Sequence, residues 1–317
     1  AKRCTETMDT FVCSSWYFLR YLNPDLEDKA FDKKLADAWL PVDQYCGGAE
    51  HAVMHLMYAR FITRVLHDQK LINFDEPFLK LNHQGMILAE GGGKMSKSKG
   101  NVVIPDEYVK KYGADVFRMY VLFLAPFEDG GAWSDKGILG VKRFLDKVWK
   151  LQNRVVKNEK QKTKNDLDKI LHQTIKKVTE DIEEFKFNTA ISQMMILMNE
   201  MEKQSEVLIT HYSLFVILLS PFAPHLAEEL WLKLGHTKSI FNEAWPKYDE
   251  RLIVENEITL AVQVNGKVRD EIIVPVDISE NQVKEKVLAS EKVQKWLTGK
   301  QPKKIIYVKG KLVSVVV

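Results

Sequence analysis

The chain has 317 residues, of which 45% are hydrophobic and 28% charged, and its formal net charge is +3. This composition excludes a disordered chain and predicts two or three folded domains, whereas the small net charge does not by itself indicate a nucleic-acid partner. The three cysteines, Cys4, Cys13 and Cys46, form no CxxC pair, so neither a disulfide framework nor a zinc ribbon is predicted and a reducing cytoplasm is the expected location.

Residues 1–135 alternate short apolar runs with helical patterns, and this alternation predicts an α/β sheet. The first segment, DTFVCSSWYFLRYL, is expected to pass from strand to helix, with Ser14 or Ser15 as the helix N-cap. An aromatic cluster beside Asp9 is expected to belong to the core rather than to a pocket when it is considered alone. The cluster consists of Phe11, Trp16 and Tyr17.

The string YCGGAEH ends an extended run and begins a long helical pattern. Its glycine pair, Gly47 and Gly48, allows a ligand to approach the backbone, and Glu50 beside it can accept hydrogen bonds from ribose hydroxyls. His51 and His55 are four residues apart and should share one helix face. Their spacing leaves open a metal pair, two core histidines or a substrate pocket, although no third metal ligand is evident.

A glycine-framed string, KMSKSKGN, follows a strand predicted in PFLKLNHQGMIL. Three lysines in six residues suit a loop that closes on a polyphosphate, since ammonium groups neutralise charge on a leaving pyrophosphate. The flanking glycines allow the backbone to reorient. A solvated lysine-rich loop is the ordinary alternative, whereas a P-loop is excluded because no GxxxxGK[ST] string occurs. A helix is predicted from Pro105 to Gly113, and a second one in ADVFRMYVLFLA.

From about Lys136 to Glu243, long amphipathic patterns without strand signals predict a helical bundle. Within it, the polar segment NEKQKTKNDLDK should be an exposed connection. From Ile258 onward the pattern predicts two hairpins, turned at Asn265-Gly266 and Lys309-Gly310, with a helix from Ser279 to Leu297 between them. This last domain is basic: residues 256–317 contain 11 Lys or Arg against 7 Asp or Glu, a difference of +4.

Taken together, these strings resemble the leucyl-tRNA synthetases of the bacterial and organellar type. KMSKS is similar to the second signature of class I aminoacyl-tRNA synthetases, and the strings around it carry the leucyl resemblance. They are MDTFVCSSWYFLRYLNP, WLPVDQYCGGAEHAVMHLMYARF, QGMILAE, GADVFRMYVLFLAPFEDGGAWSDKGILGVKRFLDKVW, SPFAPHLAEELW, VQVNGKVRDEIIVP and KKIIYVKGKLVSVVV. The resemblance covers essentially the whole chain. It implies the C-terminal half of a Rossmann-like catalytic domain (1–135), an anticodon-binding-type bundle (136–250) and a small α/β tRNA-binding domain (256–317).

The resemblance also implies a role for individual residues. The leucine pocket would contain Phe11, Tyr45 and His55. The ATP or adenylate site would contain Gly47, Gly48, Glu50, His51, Met86, Ser96 and Ser98. Of these, the two glycines and Glu50 would hold the ribose. The catalytic residues acting on the ATP phosphates would be Lys94 and Lys97. The tRNA would be contacted by Lys267, Arg269, Lys303, Lys304, Lys309 and Lys311. No metal site of the protein's own is expected.

The implied reaction joins leucine to tRNA(Leu) in two steps, with Mg-ATP as a substrate and no bound prosthetic group. The leucine carboxylate would attack the α-phosphorus to give leucyl-adenylate and pyrophosphate, and the terminal hydroxyl of the tRNA would then take the leucyl group. Positioning and charge stabilisation should dominate such a step.

The strings of this chain do not include the HIGH-type first signature of the class or an inserted editing domain. The chain also begins without Met, in what looks like the middle of a domain. A fragment, or the beta subunit of a split alpha/beta enzyme, is therefore expected, and it should be inactive without an N-terminal half. The alternative is a non-catalytic tRNA-binding or assembly subunit.

Overall fold

The computed structural model describes residues 10–157, 165–253, 257–275, 278–297 and 301–317. The chain divides into two compact units, residues 1–248 and 249–317. Asp9 and most of the predicted exposed connection, NEKQKTKNDLDK, lie outside the described residues. Within the described ranges, no helix combines the length and the apolar character needed to cross a membrane.

Helices and strands alternate through the first part of unit one, which confirms the predicted α/β class. The helices are α1 (Thr10–Ser14), α2 (Tyr17–Arg20), α3 (Lys33–Trp39), α4 (His55–Asp68), α5 (Pro105–Tyr112) and α6 (Ala114–Phe123). The strands are β1 (Tyr45–Gly48), β2 (Leu81–Gln84), β3 (Met86–Leu88) and β4 (Gly130–Ala132). β1 pairs with β2 and β3 with β4, both in parallel, so the carboxyl ends of paired strands meet.

The prediction for the first segment was wrong in two respects. Its described part begins with a helix, α1, rather than a strand. Neither serine is an N-cap, because Ser14 Oγ donates to the carbonyl of Phe11 at 3.3 Å and Ser15 Oγ to that of Val12 at 2.5 Å. Both hydroxyls thus bond back into the preceding turn, and α2 begins after Trp16 without a side-chain cap.

The long helix predicted after the glycine pair is interrupted. Residues Ala49–Val53 form a 3₁₀ turn, and α4 begins only at His55 because Met54 has φ −121° and ψ −104°, outside the helical region. The prediction that His51 and His55 share one face of a continuous helix was therefore wrong. Their rings are nevertheless neighbours, with centroids 6.3 Å apart.

The single strand predicted in PFLKLNHQGMIL is two strands, separated at Gly85. A Cβ atom at Gly85 would collide with the backbone of Gly130, which is itself at φ +66°. Gly85 is thus required where the chain leaves β2 and approaches β4 closely.

The second part of unit one is helical, as predicted. Its helices are α7 (Ile138–Leu151), α8 (Asn165–Glu183), α9 (Phe187–Glu202), α10 (Ile209–Leu219) and α11 (Pro224–Lys233). A pair of two-residue parallel strands, β5 (Val155–Val156) and β6 (Val207–Leu208), was not predicted. Buried methionines of α9 (Met194, Met198 and Met201) lie in the core, as expected from their spacing.

One core runs through both parts of unit one. It joins Met119 and Trp133 of the first part to Val141 and Phe215 of the second. A carboxylate reinforces this junction: Asp115, in the first turn of α6, accepts hydrogen bonds at 2.7 Å from the backbone N–H of Leu226 and at 2.8 Å from the ring of His225. The first turn of α11 is therefore capped by a residue of another helix.

Unit two builds a four-stranded sheet with helices. Its elements are α12 (Glu250–Ile253), β7 (Glu257–Val264), β8 (Lys267–Pro275), α13 (Glu280–Ala289), α14 (Glu291–Leu297), β9 (Lys304–Val308) and β10 (Leu312–Val316). The strand order is β8-β7-β10-β9, and both predicted hairpins are confirmed. The single helix predicted after Ser279 is interrupted at Ser290, whose backbone is extended and whose hydroxyl donates to Asp270 at 2.5 Å.

Candidate functional site

A cavity of about 410 Å³ lies along β1, all four residues of which line it, and includes Leu81 and Gln84 at the two ends of β2. We call it the tyrosine cavity; its lining includes Phe11, Tyr17, Tyr45, His51, His55 and Gln84. Ligands of open parallel sheets bind at the carboxyl ends of the strands, and the cavity reaches those ends at Gly48 and Gln84. The structure thus brings together the three residues predicted for the leucine pocket, Phe11, Tyr45 and His55, and places beside them His51, which was predicted for the adenylate site.

A chain of hydrogen bonds orders the wall of the tyrosine cavity. The hydroxyls of Tyr17 and Tyr45 are 2.8 Å apart, and that of Tyr45 lies 2.7 Å from Nε2 of His55. The ring of Tyr45 also stacks on that of Phe78, with centroids 3.8 Å apart. Both hydrogen-bond partners of the Tyr45 phenol are therefore side chains of the protein itself.

The surroundings of this cavity favour the neutral forms of two of its groups, the Tyr45 phenol and the His55 imidazole. Burial, together with the hydrogen bond between Tyr45 and Tyr17, raises the pKa of Tyr45. Burial, together with the electrostatic influence of nearby His51, lowers the pKa of His55. The buried Nδ1 atoms of His51 and His55 have no hydrogen-bond partner within the described residues.

A second cavity, of about 360 Å³, adjoins the first, and both include Gly48 and Gln84. We call it the glycine cavity; its lining also includes Glu50, Met86, Gly130 and Phe187. The carboxylate of Glu50 folds over the α-carbon of Gly48, so that a Cβ atom there would collide with it. The glycine cavity therefore combines bare backbone with one acceptor carboxylate, while Met86 contributes a half-exposed side chain.

The lysine loop, residues 94–101, lies outside both cavities as the structure describes them. Lys94, Lys97 and Ser98 are exposed, Ser96 is half-buried, and the side chain of Met95 packs against the core of unit one. A short 3₁₀ turn covers Lys97–Lys99. The structure thus gathers the other residues predicted for the two pockets, but it leaves the predicted catalytic lysines, and Ser96 and Ser98 of the predicted ATP site, outside both cavities.

The basic residues predicted to bind RNA do not form one patch in unit two. The strand register places Lys267, Lys303 and Lys304 at the end of the sheet where β7 and β10 finish. Lys309 and Lys311 lie at the opposite end, in the turn before β10. Those five are exposed, whereas the half-buried guanidinium of Arg269 lies 3.5 Å from the ring centroid of Trp296.

Sequence reasoning missed several residues of the two cavities. Tyr17 was expected in the core, and Gln84, Phe78 and Phe187 were not singled out. The pairing of β1 with β2 explains Gln84, because it stands at the end of a strand directly opposite Gly48. A search for residues that follow parallel strands would have found it. Phe187 comes from α9 and carries no local signal of its place in the cavity.

Two family models match the chain. Residues 1–134 match the tRNA synthetases of class I (I, L, M and V), and residues 165–286 match the anticodon-binding domain of tRNA ligase. The fold is therefore that of a class I synthetase catalytic fragment with an anticodon-binding domain.

Whole-chain similarity is found to leucine–tRNA ligases. The enzyme of Thermotoga petrophila is 52% identical over the full chain, and that of Clostridium tetani is 48% identical. The chain spans 41% of the length of each of these relatives, at their C-terminal end.

Two solved structures are similar in fold. A complex of an Agrobacterium radiobacter K84 LeuRS with tRNA and LeuAMS has a TM-score of 0.81 and 38% identity, covering 99% of this chain and 43% of that one. The methionyl-tRNA synthetase of Mycobacterium tuberculosis with methionyl-adenylate has a TM-score of 0.52 over 72% of this chain and 50% of that one. At 18% identity the second likeness concerns the fold alone.

Proposed function

We propose that this chain, which is similar over its whole length to the C-terminal part of leucine–tRNA ligases, supplies the KMSKS half of such an active site and the tRNA-binding domains. The proposed reaction is that of EC 6.1.1.4. Leucine attacks the α-phosphorus of ATP, pyrophosphate leaves, and the leucyl group passes from the adenylate to tRNA(Leu). The observation that carries the proposal is the pair of adjoining cavities at the strand ends, one aromatic and neutral, the other glycine-rich with a carboxylate.

We assign leucine to the tyrosine cavity. Its neutral phenol and imidazole groups impose no charge on an apolar side chain, and the ring of Phe11 supplies apolar surface. A pre-ordered wall of this kind holds the carboxylate in place for attack without a charged group of its own.

We assign the adenosine to the glycine cavity. Gly47 and Gly48 let the nucleoside approach the backbone, Glu50 accepts hydrogen bonds from the ribose hydroxyls, and the backbone of Met86 lies beside the base. Among the described residues, no group of three or more His, Cys, Asp or Glu could hold a metal ion. Mg²⁺ is therefore proposed only as the ion that accompanies the ATP phosphates.

We assign the phosphates to the lysine loop. Lys94 and Lys97 are exposed on it, with the hydroxyls of Ser96 and Ser98 nearby, so that ammonium groups can meet the negative charge that develops on the leaving pyrophosphate. Because the loop lies outside both cavities, this role requires it to approach them when ATP is bound.

We assign tRNA contacts to unit two and to the helical part of unit one. The basic residues at the two ends of the sheet in unit two can meet separate stretches of phosphate backbone, and such contacts are sensitive to salt. A chain that ends at residue 248, assembled with an N-terminal half, should then bind tRNA(Leu) more weakly than the full chain in the same assembly, while leucine activation is unchanged. Filter binding and pyrophosphate exchange would check the two effects, and an equal loss of both would make unit two structural only.

The decisive experiment is leucine-dependent ATP–pyrophosphate exchange. It is measured for this chain alone, for an N-terminal half that carries the HIGH-type signature, and for the mixture. Exchange in the mixture only is the expected result, because the proposed active site is shared between the halves. No exchange in a mixture that is folded and associated would contradict the proposal and would favour a non-catalytic tRNA-binding or assembly subunit.

A further inference from the structure

A single asparagine side chain closes the lysine loop on itself. Oδ1 of Asn101 accepts a hydrogen bond from the backbone N–H of Ser96 at 2.9 Å. Nδ2 of the same side chain donates to the carbonyl oxygen of Lys94 at 3.3 Å. The residue that follows the lysines therefore holds the backbone of the two residues that flank Met95.

The rest of the loop is shaped to bring Asn101 back to its start. Backbone bonds from Lys99 to Ser96 (3.1 Å) and from Gly100 to Lys97 (3.2 Å) form the short turn. Gly100 then adopts φ +63°, the left-handed region that reverses the chain and favours glycine. The side chain of Met95 packs against the core of unit one and thereby anchors the beginning of the lysine loop.

Two physical effects oppose this closed shape. Lys94, Lys97 and Lys99 carry like charges within six residues and are all exposed, so their mutual repulsion favours a more extended loop. The preceding glycines, Gly91–Gly93, gain a large backbone entropy when the loop is not ordered, and this gain also favours an open loop. Backbone atoms that are fixed by a side-chain amide resist both effects, and Asn101 supplies one acceptor and one donor for this purpose.

We propose that Asn101 is a positioning residue that holds the Lys94–Ser96 backbone in place, so that the lysines are presented to the phosphates from a pre-ordered loop. The catalytic consequence depends on the proposed function of the chain. The closed loop itself does not, and it is measurable in the chain alone.

The first test is limited proteolysis of the full chain with trypsin, with the cleavage sites mapped by mass spectrometry. Asn101→Ala removes both hydrogen bonds, and Asn101→Asp keeps the acceptor but not the donor. Val102→Ala is the matched control, since it changes the adjacent exposed residue. Cleavage after Lys94, Lys97 and Lys99 should be roughly 5- to 30-fold faster for Asn101→Ala than for wild type or Val102→Ala, with Asn101→Asp in between.

The second test is pyrophosphate exchange by the chain assembled with its N-terminal half. Asn101→Ala should lower kcat or raise KM for ATP by a similar factor while KM for leucine and Tm stay at the wild-type values. A merely structural residue would instead lower Tm or move both KM values. Val102→Ala should match wild type throughout.

Equal cleavage of Asn101→Ala and wild type would overturn the proposal, because the loop would not depend on the side chain. Faster cleavage with unchanged ATP kinetics would also overturn it, because the ordered loop would have no part in catalysis. If wild type shows no exchange at all in the mixture, the proposed function fails, whereas the cleavage result still decides whether Asn101 holds the loop.

Discussion

The tyrosine cavity and the lysine loop are held together by different means. In the cavity, partly buried side chains and the buried His55 hold one another: Tyr45 stacks on Phe78 and bonds to Tyr17 and His55. In the loop, the functional side chains are exposed and only the backbone is fixed, by the amide of Asn101. The groups that would recognise the shape of a ligand are therefore packed against one another in the cavity wall. The lysines that would neutralise its charge stay exposed to water on the loop. Changes in the two regions should separate activity from stability.

The largest effect is expected for Lys97→Ala. Loss of one cation directed at developing charge should lower the rate of adenylate formation by roughly 100- to 1,000-fold. Tm and tRNA affinity should not change, because the side chain is exposed and outside the core. Single-turnover adenylate formation in the assembled enzyme measures the effect.

Lys110→Ala is the matched control for that variant. Lys110 is an exposed lysine of α5, outside the loop. It should keep wild-type activity, and equal activity of Lys97→Ala and Lys110→Ala would remove Lys97 from the mechanism.

An intermediate effect is expected for Tyr45, where stability and activity should fall together. Tyr45→Ala removes the stack on Phe78 and should lower the free energy of unfolding by about 3 kcal/mol. Tyr45→Phe keeps the stack and should cost about 1 kcal/mol for the lost hydroxyl. Urea unfolding of the chain measures both. If Tyr45→Ala were as stable as wild type, the wall of the cavity would not belong to the core.

The smallest effect concerns the pH dependence of stability. Burial lowers the pKa of His55 below its ordinary value of 6.5. Below about pH 6.5, His55 is therefore protonated in the unfolded chain while it stays neutral in the folded chain. This contribution to stability is complete above pH 6.5 and is lost as the pH falls toward the lowered pKa. Urea unfolding at pH 7.5 and 5.5 should show a smaller decrease for His55→Gln than for wild type. Equal decreases would mean that His55 titrates normally.

Sequence reasoning succeeded where the signal is local. The turns at Asn265-Gly266 and Lys309-Gly310 follow from residues that tolerate positive φ, and the end of α5 follows from Gly113 at φ +94°. Each of these features depends on two or three adjacent residues.

It failed where distant residues decide. The separation of β2 from β3 depends on the approach of Gly130 to Gly85, and the break at Ser290 depends on Asp270. The place of Tyr17 in the cavity depends on Tyr45, 28 residues away. In each of these three pairs, the sequence around one residue does not reveal the other. The roles assigned to the site residues and the boundary near residue 135 remain predictions.

The cap that Asp115 provides for α11 has a consequence for modularity. The bundle after residue 135 does not hold its last helix, α11, in place by itself. The first-turn amides of α11 donate to Asp115 of α6, and Met119 and Trp133 complete the core of the bundle. Separated at residue 135, the bundle would expose apolar surface and two unpaired amides. Both parts of unit one should therefore melt in a single cooperative transition. An exchange of bundles between related synthetases would have to carry α6 along.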